Sequence, residues 1–329
     1  METASTIQSE VSAVKQPRFS GMSHVSIPCR DLEESKIFYS QVMGGELVHE
    51  IAGFVEYRIQ DIIIGLSEQP GGWTGSEDEY PHYAFYLDGA NFELTKDLLD
   101  RCGVPNYPYR RDKTALIYFR DPSGNLFEPY CNTGYDGIAS LPLAPRRGGK
   151  PIDFRSLNYQ WNGKSAALAA TQEIPRPHFT AFAHASLYCR DYEQAKRFFT
   201  KVIGGELIHD VQDGATAFGE VRVAGIIIGF TDRPGSATGR DDEYPHYAFF
   251  IEPDDFLPML AWLRHNGVTT SEPWTRDGVK GLLYFRDPSG NLFEMYCPKI
   301  KEAASFARGA KQGGRYTIDF AGLNYEWKG

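Results

Sequence analysis

The chain has 329 residues, 42% hydrophobic and 23% charged, which is enough for two domains of ordinary size with apolar cores. A formal net charge of -9 with scattered Lys and Arg argues against a nucleic-acid partner, and the longest aliphatic runs, such as Ala224 to Phe230, are too short to span a bilayer. The five cysteines (Cys29, Cys102, Cys131, Cys189 and Cys297) are odd in number and lack CxxC spacing, which excludes a disulfide framework or a structural zinc site; with no apolar leader, a cytoplasmic protein is expected.

In chain order, the polar residues 1–18 read as a disordered tail. MSHVSIPC, ending at Cys29, reads as a strand, and DLEESKIFYSQVMG as an amphipathic helix capped by Asp31. Short strands follow at Leu47 to Glu50, Phe54 to Gln60 and Ile62 to Ser67. HYAFYL is the next strand and NFELTKDLLDRCG a second helix, ended by Gly103. Strands around Tyr109, at Ala115 to Arg120 and at Leu126 to Cys131 complete the series, the last two joined by the turn DPSGN.

This pattern is then repeated. DEYPHYAF occurs at Asp78 to Phe85 and again at Asp242 to Phe249, an offset of 242 − 78 = 164 residues. YFRDPSGNLFE occurs at Tyr118 to Glu128 and at Tyr284 to Glu294, and the trailing IDFRSLNYQW is echoed by IDFAGLNYEW. The reading is α+β: two tandem domains at 19–161 and 179–329, each of two βαβββ modules forming a cupped mixed sheet, joined by a linker at 162–178.

Strand alternation assigns faces. His24, His82 and Glu128 are expected on the inner face of one curved sheet, and His184, His246 and Glu294 on that of the other. A lone strand histidine is usually structural, but a buried carboxylate needs a partner, and the trio recurs in both units. Two imidazoles and a carboxylate make a half-shell for Fe(II), Mn(II) or Zn(II) with positions left open.

At these residues the sequence resembles the vicinal oxygen chelate superfamily, which includes glyoxalase I, the fosfomycin-resistance transferases and type I extradiol dioxygenases. The resemblance runs through residues 20–131 and 180–297 and implies two glyoxalase-like domains, with the six residues above as metal ligands. Four modules in one chain imply an extradiol-type ring-cleaving dioxygenase of aromatic catabolism, with Fe(II) favoured, a catecholic or related hydroxylated aromatic substrate, and O2. In such enzymes a tyrosine lies ten residues before the glutamate; here those positions hold Tyr118 and Tyr284. The extradiol histidine nine residues before that tyrosine is replaced by Tyr109 and Thr275, and the IIIG strands carry no base histidine. His49 and His209, after the repeated GGEL, are candidate substitutes as proton acceptors. Alternatives are a thiol transferase of the fosfomycin-resistance type or another glyoxalase-type lyase or isomerase, or a non-catalytic protein that binds aromatic ligands. No nucleic acid or membrane partner is expected, and a homo-oligomer is left open.

Overall fold

The computed structural model describes residues 16–69, 78–132, 134–145, 149–162, 176–213, 216–233, 242–310 and 314–329. The expected tail therefore falls outside the described residues except for residues 16–18, and the expected linker except for residues 162 and 176–178.

The first module is β1 (Phe19–Cys29), α1 (Leu32–Ile37), β2 (Glu46–Ile51), β3 (Phe54–Ile59) and β4 (Ile62–Glu68). The Asp31 side chain caps α1 by accepting from Glu34 N at 2.7 Å, and the helix runs on into a π-helical turn, Phe38–Val42. The second module is β5 (His82–Tyr86), α2 (Gly89–Arg101, capped by Asp88), β6 (Asn106–Arg111), β7 (Thr114–Arg120) and β8 (Leu126–Cys131). The third repeats the first: β9 (Ala181–Cys189), α3 (Tyr192–Arg197), β10 (Glu206–Asp213), β11 (Thr216–Val223) and β12 (Ile226–Asp232). The fourth is β13 (His246–Ile251), α4 (Pro253–His265), β14 (Trp274–Thr275), β15 (Gly281–Arg286) and β16 (Leu292–Cys297), followed by β17 (Ala307–Arg308). The α+β class and the tandem of glyoxalase-like repeats are as expected.

The partners within each sheet are not. One sheet has the order β17-β14-β15-β16-β13-β1-β4-β3-β2 and the other β10-β11-β12-β9-β5-β8-β7-β6. Thus β1 of the first repeat lies antiparallel to β13 of the second, and β5 of the first repeat lies antiparallel to β9 of the second. Each sheet joins one module from each half of the chain. Within one repeat, the modules are tied by the DPSGN turn instead. Asp121 Oδ1 accepts from Ser123 N and Asn125 N, both at 2.9 Å; Asn125 Nδ2 reaches Pro28 O at 3.0 Å, and Arg30 N reaches Ser123 Oγ at 2.9 Å. Asp287, Ser289 and Asn291 repeat these bonds to Tyr188 and Arg190. The recurrence of YFRDPSGNLFE is therefore in part a docking requirement.

Alternation sends Val25, Ile27, Val55, Tyr57, Ile64 and Leu66 to the helix-covered face, where they share one apolar cluster with Phe38, Phe198 and Tyr247 from both repeats. The trailing segments wrap each sheet. Trp161 packs edge-on to Phe38, while Phe154 lies on Tyr118 on the opposite face; Trp327 on Phe198 and Phe320 on Tyr284 repeat the arrangement. The trailing segments thus pack on the helix-covered face and also cover part of the opposite face. All five cysteines are buried and free. No helix among the described residues is long and apolar enough to cross a membrane.

Candidate metal centres

Register explains how the sheets gather their chemistry. His24 on β1 lies opposite Ala248, which lies opposite Glu294 on β16, which lies opposite Tyr284 on β15. Directly opposed residues share a face, so these four form a row, with His246 two residues along β13 on the same face. In the other sheet Ala84 lies between His184 and Glu128, with His82 beside it. The repeated HYAF therefore has a plain reading: its histidine is a donor, and its alanine is the short residue that leaves room between the other two.

The result is two buried clusters, His24–His246–Glu294 and His82–His184–Glu128. In the first, His24 Nε2 is 3.2 Å from His246 Nε2, and Glu294 Oε2 is 3.5 and 3.3 Å from them. In the second, the corresponding distances are 3.2 Å between His82 and His184, and 3.4 and 3.2 Å to Glu128 Oε2. Grouping His24 with His82 and Glu128, and His184 with His246 and Glu294, is thus corrected. The six residues do converge, but each cluster takes its first-strand histidine from the other repeat, because β1 pairs with β13 and β9 with β5.

These donors fit a divalent cation. A near-equilateral triangle with sides of 3.2 to 3.5 Å puts each corner about 1.9 Å from the centre, close to the roughly 2.0–2.2 Å of metal–nitrogen and metal–carboxylate bonds. His82 Nδ1 and His246 Nδ1 lie 2.9 and 3.0 Å from the carbonyls of Glu79 and Glu243, which sets the tautomer that leaves Nε2 free as a donor atom. Both Glu294 oxygens are buried without a hydrogen-bond partner among the described residues, a costly arrangement unless a cation answers it. Burial opposes ionisation of Glu128 and Glu294, yet the facing imidazoles hold both carboxyls well below the usual range. Burial likewise disfavours a charged His82, but Glu128 and Glu79 outweigh it and its pKa is raised.

The family model for the glyoxalase/bleomycin resistance protein/dioxygenase superfamily matches residues 21–128 and 181–295. The chain belongs to this superfamily. A stretch of 129 residues, 39% of the chain, is 27% identical to glutathione transferase FosA of Serratia marcescens and covers 92% of it. Across 292 residues, 83% of the chain and 84% of the relative, it is 22% identical to metapyrocatechase of Pseudomonas sp. (strain CF600). Among solved structures, a putative dioxygenase of Bacillus subtilis matches over 90% of this chain and 93% of that one at 16% identity, with a TM-score of 0.61. Glyoxalase I of Zea mays matches over 85% and 92% at 13% identity, with a TM-score of 0.52. At these identities the structural matches speak for the fold.

Around the clusters of this superfamily member, Tyr118 and Tyr284 are fully buried with their rings edge-on to His82 and His246, at centroid distances of 5.7 and 5.4 Å. Their hydroxyls donate to Glu79 Oε1 at 2.8 Å and Glu243 Oε1 at 2.9 Å. Burial, then Glu128 and Glu79, pushes the Tyr118 phenol well above its ordinary pKa; burial, Glu243 and Glu294 do the same for Tyr284. Glu79 and Glu243 are the functional candidates that the sequence reading passed over. Each stands three residues before its histidine in the repeated octapeptide, its carbonyl on the imidazole and its carboxylate on the tyrosine. Arg111 Nη2 lies 3.8 Å from Glu128 Oε1, and Arg276 lies within electrostatic reach of Glu294.

The structural counterpart of Tyr109 is Trp274, not Thr275. Tyr109 opposes Leu116, seven residues on, whereas Trp274 opposes Leu282, eight residues on, so the second hairpin is one residue longer. The structure does not bring His49 or His209 to either cluster. Opposed pairs run from His49 through Glu56, Gly65 and Ser26 to His246, which sets His49 four strands away from that histidine on an exposed edge strand. His209 is exposed as well and bonds through Nδ1 to Glu220. Register sets His49 on the same face as His246, and the distance between them across the sheet follows only from the fold.

Proposed function

We propose that the chain is a metal-dependent ring-cleaving dioxygenase of hydroxylated aromatics, with one divalent cation, Fe(II), held by His24, His246 and Glu294 and another by His82, His184 and Glu128. The observation that carries this reading is the pair of buried two-histidine, one-carboxylate clusters, a donor set that leaves coordination positions open and suits non-haem Fe(II). Similarity to metapyrocatechase along most of the chain supports it. Bound there, the metal would supply a Lewis acid for a substrate oxygen and a seat for O2.

The chain's own groups divide the remaining work. Tyr118 and Tyr284 hold their protons and present a hydroxyl beside the imidazoles, as hydrogen-bond donors. Glu79 and Glu243, partly exposed and hydrogen-bonded to those phenols, take the role first sought in a histidine: accepting the proton of a substrate hydroxyl. Arg111 and Arg276 offset the negative charge of the ionised substrate. The stacked Tyr109 and Tyr118, with Phe154 edge-on to Tyr118, and the counterparts Trp274, Tyr284 and Phe320 surround the clusters with aromatic side chains, a setting compatible with an aromatic substrate.

A second reading, thiol transfer of the fosfomycin-resistance type, is favoured by a single observation: one repeat's length covers 92% of FosA, and two repeats build each cluster together. Anaerobically purified, Fe(II)-loaded protein should consume O2 with a catechol or hydroquinone, and Glu243→Gln together with Glu79→Gln should reduce the rate by about 10²- to 10⁴-fold. No O2 uptake across such a panel, with Mn(II)-dependent consumption of a thiol in the presence of an epoxide, would reverse the order of the two readings.

A further inference from the structure

The two clusters share residue types but not surroundings. In one, the Tyr109 hydroxyl donates to Glu128 Oε1, and Arg111 lies 3.8 Å from the same oxygen. In the other, Trp274 stands in that place, stacked on Tyr284 at 6.3 Å and 18° as Tyr109 is on Tyr118 at 5.2 Å and 15°. An indole has no hydroxyl to give. Glu294 is 0% exposed, neither of its oxygens has a hydrogen-bond partner among the described residues, and the buried Trp274 Nε1 and Arg276 Nε are unpartnered too. The first-strand histidines differ in the same sense. His24 Nδ1 lies 3.1 Å from Ser23 Oγ, whereas the residue before His184 is Ala183, whose methyl group cannot accept a hydrogen bond.

We propose that the two metal sites are unequal, that the His24–His246–Glu294 site binds its cation more tightly and fills first, and that Tyr109 is the positioning residue that sets most of the difference. The proposal rests on reading both clusters as metal sites. The Tyr109 phenol donates to Glu128 Oε1, while Oε2 is the oxygen that faces the two imidazoles; a donor on the carboxylate withdraws charge from it and leaves Oε2 a weaker base toward a cation than the corresponding oxygen of Glu294. Glu294 has no such hydroxyl donor: it faces only the His24 and His246 imidazoles and, at longer range, Arg276. The Ser23 hydroxyl, 3.1 Å from His24 Nδ1, holds that imidazole in place with a hydrogen bond that Ala183 cannot give His184. The carbonyls behind His82 and His246, at 2.9 and 3.0 Å, are equivalent and cancel. One charged hydrogen bond corresponds to a ratio of about 10- to 100-fold in affinity.

The test is a calorimetric titration of metal-free full-length protein with Mn(II), repeated with Zn(II). Two steps in that ratio are expected; His246→Ala should remove the tight step and His82→Ala the weak one. Tyr109→Phe should tighten the weak step about tenfold and leave the tight step unchanged, and Trp274→Tyr should weaken the tight step. Equal affinities in the unaltered chain, or a Tyr109→Phe variant whose weak step is unchanged or weaker, overturns the proposal while leaving both sites as metal sites. Absence of any stoichiometric binding overturns the metal reading, and this proposal falls with it.

Discussion

Gly229 on β12 opposes Ser186 on β9, and Ser186 opposes His82 on β5, so a change at the glycine is passed to a candidate ligand through one side chain. A Cβ at Gly229 would sit 2.6 Å from Ser186 Oγ, well inside contact distance, with the Ser186 Cβ and Cα next at 3.4 and 3.6 Å. Ser186 is 2% exposed, so its hydroxyl can yield only by leaving its present rotamer among packed neighbours. Gly229→Ala should therefore cost about 1–2 kcal/mol, at the lower end of overpacking costs, and lower the melting temperature by roughly 2–6 °C. Removing the hydroxyl as well, in Gly229→Ala/Ser186→Ala, should recover most of the loss, because the remaining contacts are ordinary van der Waals distances. Scanning calorimetry on the metal-free single and double variants reads the coupling directly. A Gly229→Ala protein as stable as the parent, or a double variant no better than the single one, would refute the reasoning from close approach.

Other expectations concern the thiols, the carboxylates and the halves of the chain. Burial pushes the Cys29 thiol up to about 12 and the Cys102 thiol up to about 11, so the folded chain should react negligibly with an aromatic disulfide reagent near pH 8, and all five cysteines should react once it is denatured. Rapid labelling of native protein would contradict the buried placement. Because the folded-state pKa values of Glu128 and Glu294 are depressed, their contribution to stability is present above the unfolded value of about 4.3 and is lost as pH falls. The melting temperature of the metal-free protein should drop below that pH, and Glu294→Gln should flatten part of the slope; an unchanged slope would count against the ion-pair contacts. A segment of residues 16–162 alone leaves β1 and β5 without β13 and β9. A second copy can supply both, since HYAFF at residues 246–250 is nearly HYAFY at residues 82–86, and ultracentrifugation should show a homodimer. A stable monomer would mean that the strands also pair within one repeat.

Most of the elements were legible because the signals that define them are local. Asp31 caps its helix where the sequence places it, and the alternation in HYAF puts His82 and Ala84 on one face and Tyr83 and Phe85 on the other. What could not be read was the choice of partner strand. The two HYAF strands present nearly the same edge to β1, so nothing in residues 19–29 distinguishes β5 from β13. The choice is made by tertiary arrangement, and it regrouped the same six residues into two different clusters. The extra residue in the hairpin after Trp274 was likewise hidden, since counting back from Tyr284 assumes equal loops and lands on Thr275. Glu79 and Glu243 were visible as repeated letters, but their contacts with Tyr118 and Tyr284 span about forty residues of chain and follow only from the fold.

The claim on which the rest depends is that each metal site takes ligands from both repeats, and the metal content of two double variants tests it most directly. His24→Ala/His246→Ala removes two ligands from one cluster and should retain one equivalent of bound metal per chain, held by His82, His184 and Glu128. His24→Ala/His82→Ala removes one ligand from each cluster and should retain none. The reverse result, with the first variant empty and the second holding one equivalent, would show that each repeat builds its own site.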